Sequence, residues 1–135
     1  MDTFQPFERS RIMRAVKSCD TKPEMKVRRL IHSLGFRYRL HRSDLPGKPD
    51  LVFSSRKKII FVHGCFWHGH DCKRGARIPE ANRDYWLRKI SHNVERDAKH
   101  RIDLERMGWR NFVIWECETK DLQALAKRIQ DFLIN

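Results

Sequence analysis

The stretch Lys58-Ile-Ile-Phe-Val-His63-Gly-Cys65-Phe66-Trp67-His68-Gly-His70-Asp-Cys72 decides the fold of this chain. Ile59 to Val62 is an unbroken apolar run, and Lys58 to Val62 is therefore expected to be a central strand buried on both faces. Residues 63 to 72 then pack two thiols, three imidazoles and two large aromatics into one segment. Thiolate and imidazole together are the ligand set of tetrahedral zinc. A tight metal loop has little core in which to hide Phe66 and Trp67, so the loop also predicts a surface that meets something flat.

Outward from this segment the elements read easily. Upstream, Asp50-Leu-Val-Phe53 reads as a strand, and Ser54 to Lys57 as the hairpin turn between the two. Phe36 to His41 alternates apolar and polar residues, as a strand with one basic, wet face does. Thr21-Lys-Pro-Glu24 fits a capping box opening a helix that runs to about Leu34 and stops at Gly35. Ile12, Met13 and Val16 suggest a short basic helix over residues 9 to 18. Downstream, a long helix is expected over about Asn82 to Met107, a strand over Asn111 to Trp115, and a closing helix over Leu122 to Ile134. The long helix makes a crossover, so the strands on either side of it should run parallel. Their C-terminal ends then share one edge of the sheet, which brings Cys117 beside the loop. The class is α/β, a mixed sheet flanked by helices, in one domain over residues 1–135.

The net charge is +12, spread over the chain from Arg9, Arg11 and Arg14 to Arg96 and Arg101 rather than gathered in a tail. Such a charge on a small body implies a polyanionic partner held by the folded domain, most simply nucleic acid. A basic surface serving a membrane or solubility is the alternative. No apolar run approaches a membrane span, and the polar N-terminus carries no secretory signal, so a reducing cytoplasm is expected. There the four cysteines favour metal binding over disulfides.

Cys65, His70 and Cys72 in one loop, with Cys117 closing the shell, make a closed Cys3His zinc set. His68 competes with His70 for that shell, and free thiols beside surface histidines are the bland alternative. Cys19 stands outside the set. Asp50 opens its strand opposite the end of the next, near Val62 and His63, where a carboxylate can bind a hard cation such as magnesium or serve as an ordinary turn residue. His63 and His68 are left as acid, base or phosphate contacts, or as loop histidines with local hydrogen bonds. Asp97 falls on the stripe of Ile90 and Val94, where it needs a partner: a histidine or an arginine. Glu24 already has a place in the capping box. Phe66 and Trp67, held between metal ligands, suit wedges pushed between base steps. Met13 is a further wedge or simply core.

Pro49-Asp50, Phe61-Val-His-Gly-Cys-Phe-Trp-His68 with His70 and Cys72, Asn93-Val-Glu-Arg-Asp97 and Val113-Ile-Trp-Glu-Cys117 together resemble the very-short-patch-repair (Vsr) mismatch endonucleases. The likeness runs from about Ser10 to Cys117. It implies a restriction-endonuclease-like core, related to the PD-(D/E)xK nucleases, with Phe61-Val62-His63 in place of the usual E-x-K. It further implies that Asp50 bridges two magnesium ions and that the backbone carbonyl of Val62 holds one of them. Many members carry threonine at the Val62 position, and a carbonyl ligand tolerates the change. By the same resemblance His68 acts at the scissile group, His63 assists and is oriented by Asp97, and Glu24 is an auxiliary acid. Cys65, His70, Cys72 and Cys117 would hold structural zinc, and Phe66, Trp67 and Met13 would intercalate beside the mismatch.

The implied activity is a nick in double-stranded DNA, 5′ to the thymine of a T:G pair, that starts repair of deaminated 5-methylcytosine. The implied setting is a monomer in the bacterial cytoplasm, associated with the nucleoid, with a MutL-type repair protein as a partner. The rival readings are a same-fold nuclease of broader mismatch or site specificity and a non-catalytic module that binds distorted DNA.

Overall fold

A computed structural model describes residues 20–73 and 75–135. The expected helix over 9–18, Met13 and Cys19 lie outside the described residues. The elements are α1 (Lys22–Ser33), β1 (Arg39–Leu40), β2 (Leu51–Phe53), β3 (Lys58–His63), α2 (Arg83–Arg106), β4 (Arg110–Trp115) and α3 (Leu122–Ile134). They form a mixed α/β fold in which the sheet order is β1-β2-β3-β4. β1 and β2 pair antiparallel, as do β2 and β3, while β3 and β4 run parallel across the α2 crossover.

β3 is central and buried almost throughout, as its apolar run requires. Period-2 alternation sends its side chains to two cores. Ile60, with Leu51, Phe53 and Ile114, packs against Val27 and Ile31 of α1 and Leu125, Ile129 and Leu133 of α3. Ile59 and Phe61, with Val52, pack on the other face against Leu104 of α2, Trp109 and Leu45. The Lys58 ammonium is buried, and it donates to the carbonyls of Phe132 (2.6 Å) and Leu133 (3.1 Å) at the end of α3. A cation there satisfies orphan carbonyls and complements the helix dipole.

Three local expectations change. The strand expected over 36–41 contracts to Arg39–Leu40. Phe36 and Tyr38 pack on the core instead, with the Tyr38 hydroxyl donating to Arg28 O at 3.1 Å, and His41 turns to φ +48°. The capping box is half formed. Thr21 accepts the Glu24 N–H at 3.3 Å, but Glu24 accepts from the N–H of Asp20, one residue upstream of the cap, at 3.2 Å. On α2 the buried stripe takes Ile90 and Asn93, and Val94 is 43% exposed. Asn93, three residues after Ile90, lies on the same helix face, and its amide donates to the Trp67 carbonyl in the loop after β3.

Candidate active site and metal centre

β3 ends at His63 beside Trp115 of β4, so the chain leaves both strands at one rim of the sheet. The turn after β3 delivers Cys65, His70 and Cys72, and the 3-10 turn Glu116–Lys120 after β4 delivers Cys117. One ligand atom from each of these four residues lies within 4.8 Å of the others. His70 Nδ1 stands 3.6 Å from Cys117 Sγ, and the edge of a tetrahedral zinc shell between sulfur and nitrogen is about 3.6 Å. The donor set and its spacing fit such an ion. The shell is also supported from outside. The backbone N–H of Cys117 donates to Cys65 Sγ (3.3 Å), and that of Gly75 to Cys72 Sγ (3.4 Å). The His70 ring stacks on Trp115 at 4.2 Å. Gly75 is sterically required, because a methyl group there would collide with the backbone oxygens of His70 and Cys65. Burial pushes the Cys65 thiol up to about 12, and a bound cation would displace that proton.

Asp50 sits where the hairpin register puts it. Its Oδ2 accepts the Val62 N–H at 2.7 Å. Burial raises its carboxyl; the Val62 N–H opposes the rise and the Glu24 carboxylate adds to it, for a result of about 7. Glu24 is itself almost fully buried, and its Oε2 accepts from His41 Nε2 at 2.8 Å. A cation between the two carboxylates would relieve the penalty that burial and the neighbouring Glu24 place on charged Asp50, so this pair fits a hard divalent ion. His41 was not among the residues singled out from the sequence. Its signal was its place opposite Asp50, which only the β1–β2 register reveals.

The expected pairing of Asp97 with His63 is replaced. Asp97 Oδ2 accepts from His68 Nδ1 at 2.6 Å, and His63 instead stacks flat on His68, with centroids 3.8 Å apart. Burial would raise the Asp97 carboxyl, but the hydrogen bond and charge of His68 outweigh it and hold it below the usual range. Burial, reinforced by the neighbouring His68, pushes His63 down to about 3, so His63 is neutral. His63 Nδ1 is buried and finds no hydrogen bond among the described residues. His68 lies with His63 and Asp97, and His70 in the thiol shell, which separates the two histidines that the sequence left in competition.

Phe66 and Trp67 are half-buried and meet edge to face at 5.1 Å. Trp86 of α2 braces both, at 5.7 Å and 5.8 Å, and Asn93 Nδ2 donates to the Trp67 carbonyl at 2.9 Å. Trp86 and Asn93 were missed from sequence because a helical aromatic and a helical amide look like core until the loop is seen against them. Asp50, Glu24, His63, His68, Asp97, Phe66 and Trp67 all line one cavity of about 910 Å3, with Arg96 and His100 on the α2 wall.

Residues 1–74 match the family model described as DNA mismatch endonuclease Vsr. The chain is 49% identical to type II nicking enzyme V.XorIIP of Xanthomonas oryzae pv. oryzae, covering 98% of this chain and 96% of that one. It is 44% identical to type II nicking enzyme V.NmeAIP of Neisseria meningitidis serogroup A, covering 95% and 91%. It is 35% identical to DNA mismatch endonuclease Vsr of Escherichia coli K12, covering 98% and 87%.

Proposed function

Because the chain belongs to the Vsr family of DNA mismatch endonucleases, we propose that it nicks double-stranded DNA 5′ to the thymine of a T:G mismatch. The nick would start very short patch repair of deaminated 5-methylcytosine. The observation that carries this reading is the shared cavity: the acidic site around Asp50, the Asp97–His68 pair and the aromatic hook of Phe66 and Trp67 open into one space. The antiparallel hairpin joined to a parallel crossover supports a restriction-endonuclease-like core.

A T:G wobble pair stacks poorly, so separating its neighbours costs less than at a matched pair. Phe66 and Trp67 would enter there, with Trp86 keeping them from folding back and Asn93 fixing the Trp67 backbone. Arg96 on the cavity wall and the basic surface would hold phosphates and set the register. Asp50, the Val62 carbonyl and the auxiliary Glu24 would hold magnesium. The chemistry such ions would supply when bound there is activation of the attacking water and stabilisation of the leaving oxygen. A carboxylate can only accept a hydrogen bond, so His68 carries its proton on Nδ1 toward Asp97. That leaves Nε2 as the atom that exchanges a proton at the reacting phosphate. Neutral His63, stacked beneath, keeps the His68 ring in plane without adding a second charge. Cys65, His70, Cys72 and Cys117 would hold zinc as a structural brace with no open position.

The test is cleavage of matched T:G and T:A duplexes with Mg2+ and with a chelator of divalent ions. A single nick on the thymine strand of the T:G duplex, lost in Asp50→Ala, is the expected result. Equal nicking of both duplexes would instead favour a site-directed nicking activity. Binding without cleavage would favour a recognition module. Retained cleavage in Asp50→Ala would refute the assigned chemistry.

A further inference from the structure

No step above uses His41, yet its side chain lines the same cavity and joins the two acidic residues. His41 Nε2 lies 2.8 Å from Glu24 Oε2 and 3.9 Å from Asp50 Oδ1. Its main-chain N–H donates to the Asp50 carbonyl at 3.2 Å, continuing the ladder one residue past the Leu40–Leu51 pair. The residue also adopts φ +48°, a left-handed conformation uncommon outside glycine, in which histidine is among the residues more often found. In that conformation its side chain is held by the Glu24 carboxylate and its main chain by the Asp50 carbonyl.

Glu24 belongs to α1 and Asp50 to the start of β2, and no sheet ladder ties α1 to this rim. Glu24 Oε1 is held by the Asp20 N–H at 3.2 Å, and His41 makes the short hydrogen bond to Oε2 at 2.8 Å. Arg28 Nη1, 3.5 Å from the same oxygen, is a competing cation that can draw the carboxylate away from Asp50 when His41 does not hold it.

We propose that His41 is a positioning residue of the cation site: it locks the Glu24 carboxylate beside Asp50 so that both are offered to a divalent ion together. The inference rests on the reading of Asp50 as a cation ligand, and the experiment separates the two. His41→Asn tolerates the left-handed backbone but is too short to reach Glu24, whereas His41→Gln keeps a donor of similar reach. Mn2+ binding to the full-length zinc-loaded protein is followed by water-proton relaxation, alongside the Mg2+ dependence of nicking.

His41→Asn is expected to weaken Mn2+ binding by about tenfold or more. The Mg2+ needed for half-maximal nicking should rise in step, while the rate at saturating Mg2+ changes far less. His41→Gln should restore most of the affinity. If Asp50→Ala loses Mn2+ binding but His41→Asn binds as the parent does, this inference falls and the cation reading stands. If His41→Gln binds as poorly as His41→Asn, the donor role is overturned. If Asp50→Ala binds as the parent does, both readings fall together.

Discussion

His68 and Asp97 show how one hydrogen bond fixes a chemical role. With Nδ1–H committed to the carboxylate at 2.6 Å, only Nε2 can exchange protons. In Asp97→Asn the amide no longer selects that tautomer, and single-turnover nicking should slow by about a hundredfold, the lower end of what a positioned acid or base contributes. The Mg2+ concentration for half-maximal rate should stay unchanged; a shift there would mean that Asp97 serves the cation site instead. Asp50 makes a prediction about pH. Its carboxyl stands at about 7 when folded and near 3.9 when unfolded. Through that window the cation-free folded state holds the extra proton, so stability falls as pH rises and levels off above the folded value. Asp50→Asn does not titrate. Thermal melts without divalent ions should show its advantage over the parent growing as pH rises through this window. A constant difference would mean that burial does not penalise the charge.

At the scale of elements, the loop after β3 is a device for holding aromatics away from the core. Its four thiol and imidazole groups come from two strand ends that are parallel neighbours. The brace comes from α2, through Trp86 and Asn93. Gly75 tests the thiol–imidazole half of this arrangement. Gly75→Ala forces the backbone against the His70 and Cys65 carbonyls. The purified variant should carry little zinc by mass spectrometry and melt at a lower temperature, as the parent does after chelation, since metal binding is coupled to folding. A variant that loses zinc and keeps the parent's melting temperature would show the loop to be stable without it.

For the whole molecule, the net charge of +12 sets the terms of binding. Affinity for any duplex should fall linearly on a log–log plot against salt, by about 0.9 per phosphate neutralised. T:G and T:A duplexes should give similar slopes, because the mismatch acts through stacking and the charge through counterion release. Asp50→Ala should keep that slope while losing cleavage. A flat salt response, measured by fluorescence anisotropy, would remove the role given to the charge. Among the described residues no helix is long and apolar enough to cross a membrane.

The sequence by itself determined the relationships carried by strand direction and by the apolar run of β3. The apolar run of β3 predicted its burial, and the crossover after it predicted that Cys117 would join Cys65, His70 and Cys72. The hairpin put Asp50 beside Val62. These follow from periodicity and topology, which need no side-chain coordinates. Only the tertiary structure decided which partner each polar group takes. Asp97 bonds to His68 rather than His63 because the loop after β3 folds His68 over the His63 ring at the strand end and toward α2. Glu24 gives one carboxylate oxygen to the Asp20 N–H and the other to His41, a donor that arrives through an irregular loop no periodicity describes. Trp86 and Asn93 were hidden for the same reason: hydrogen bonds and ring contacts act over a few ångströms, between residues whose separation in sequence carries no signal.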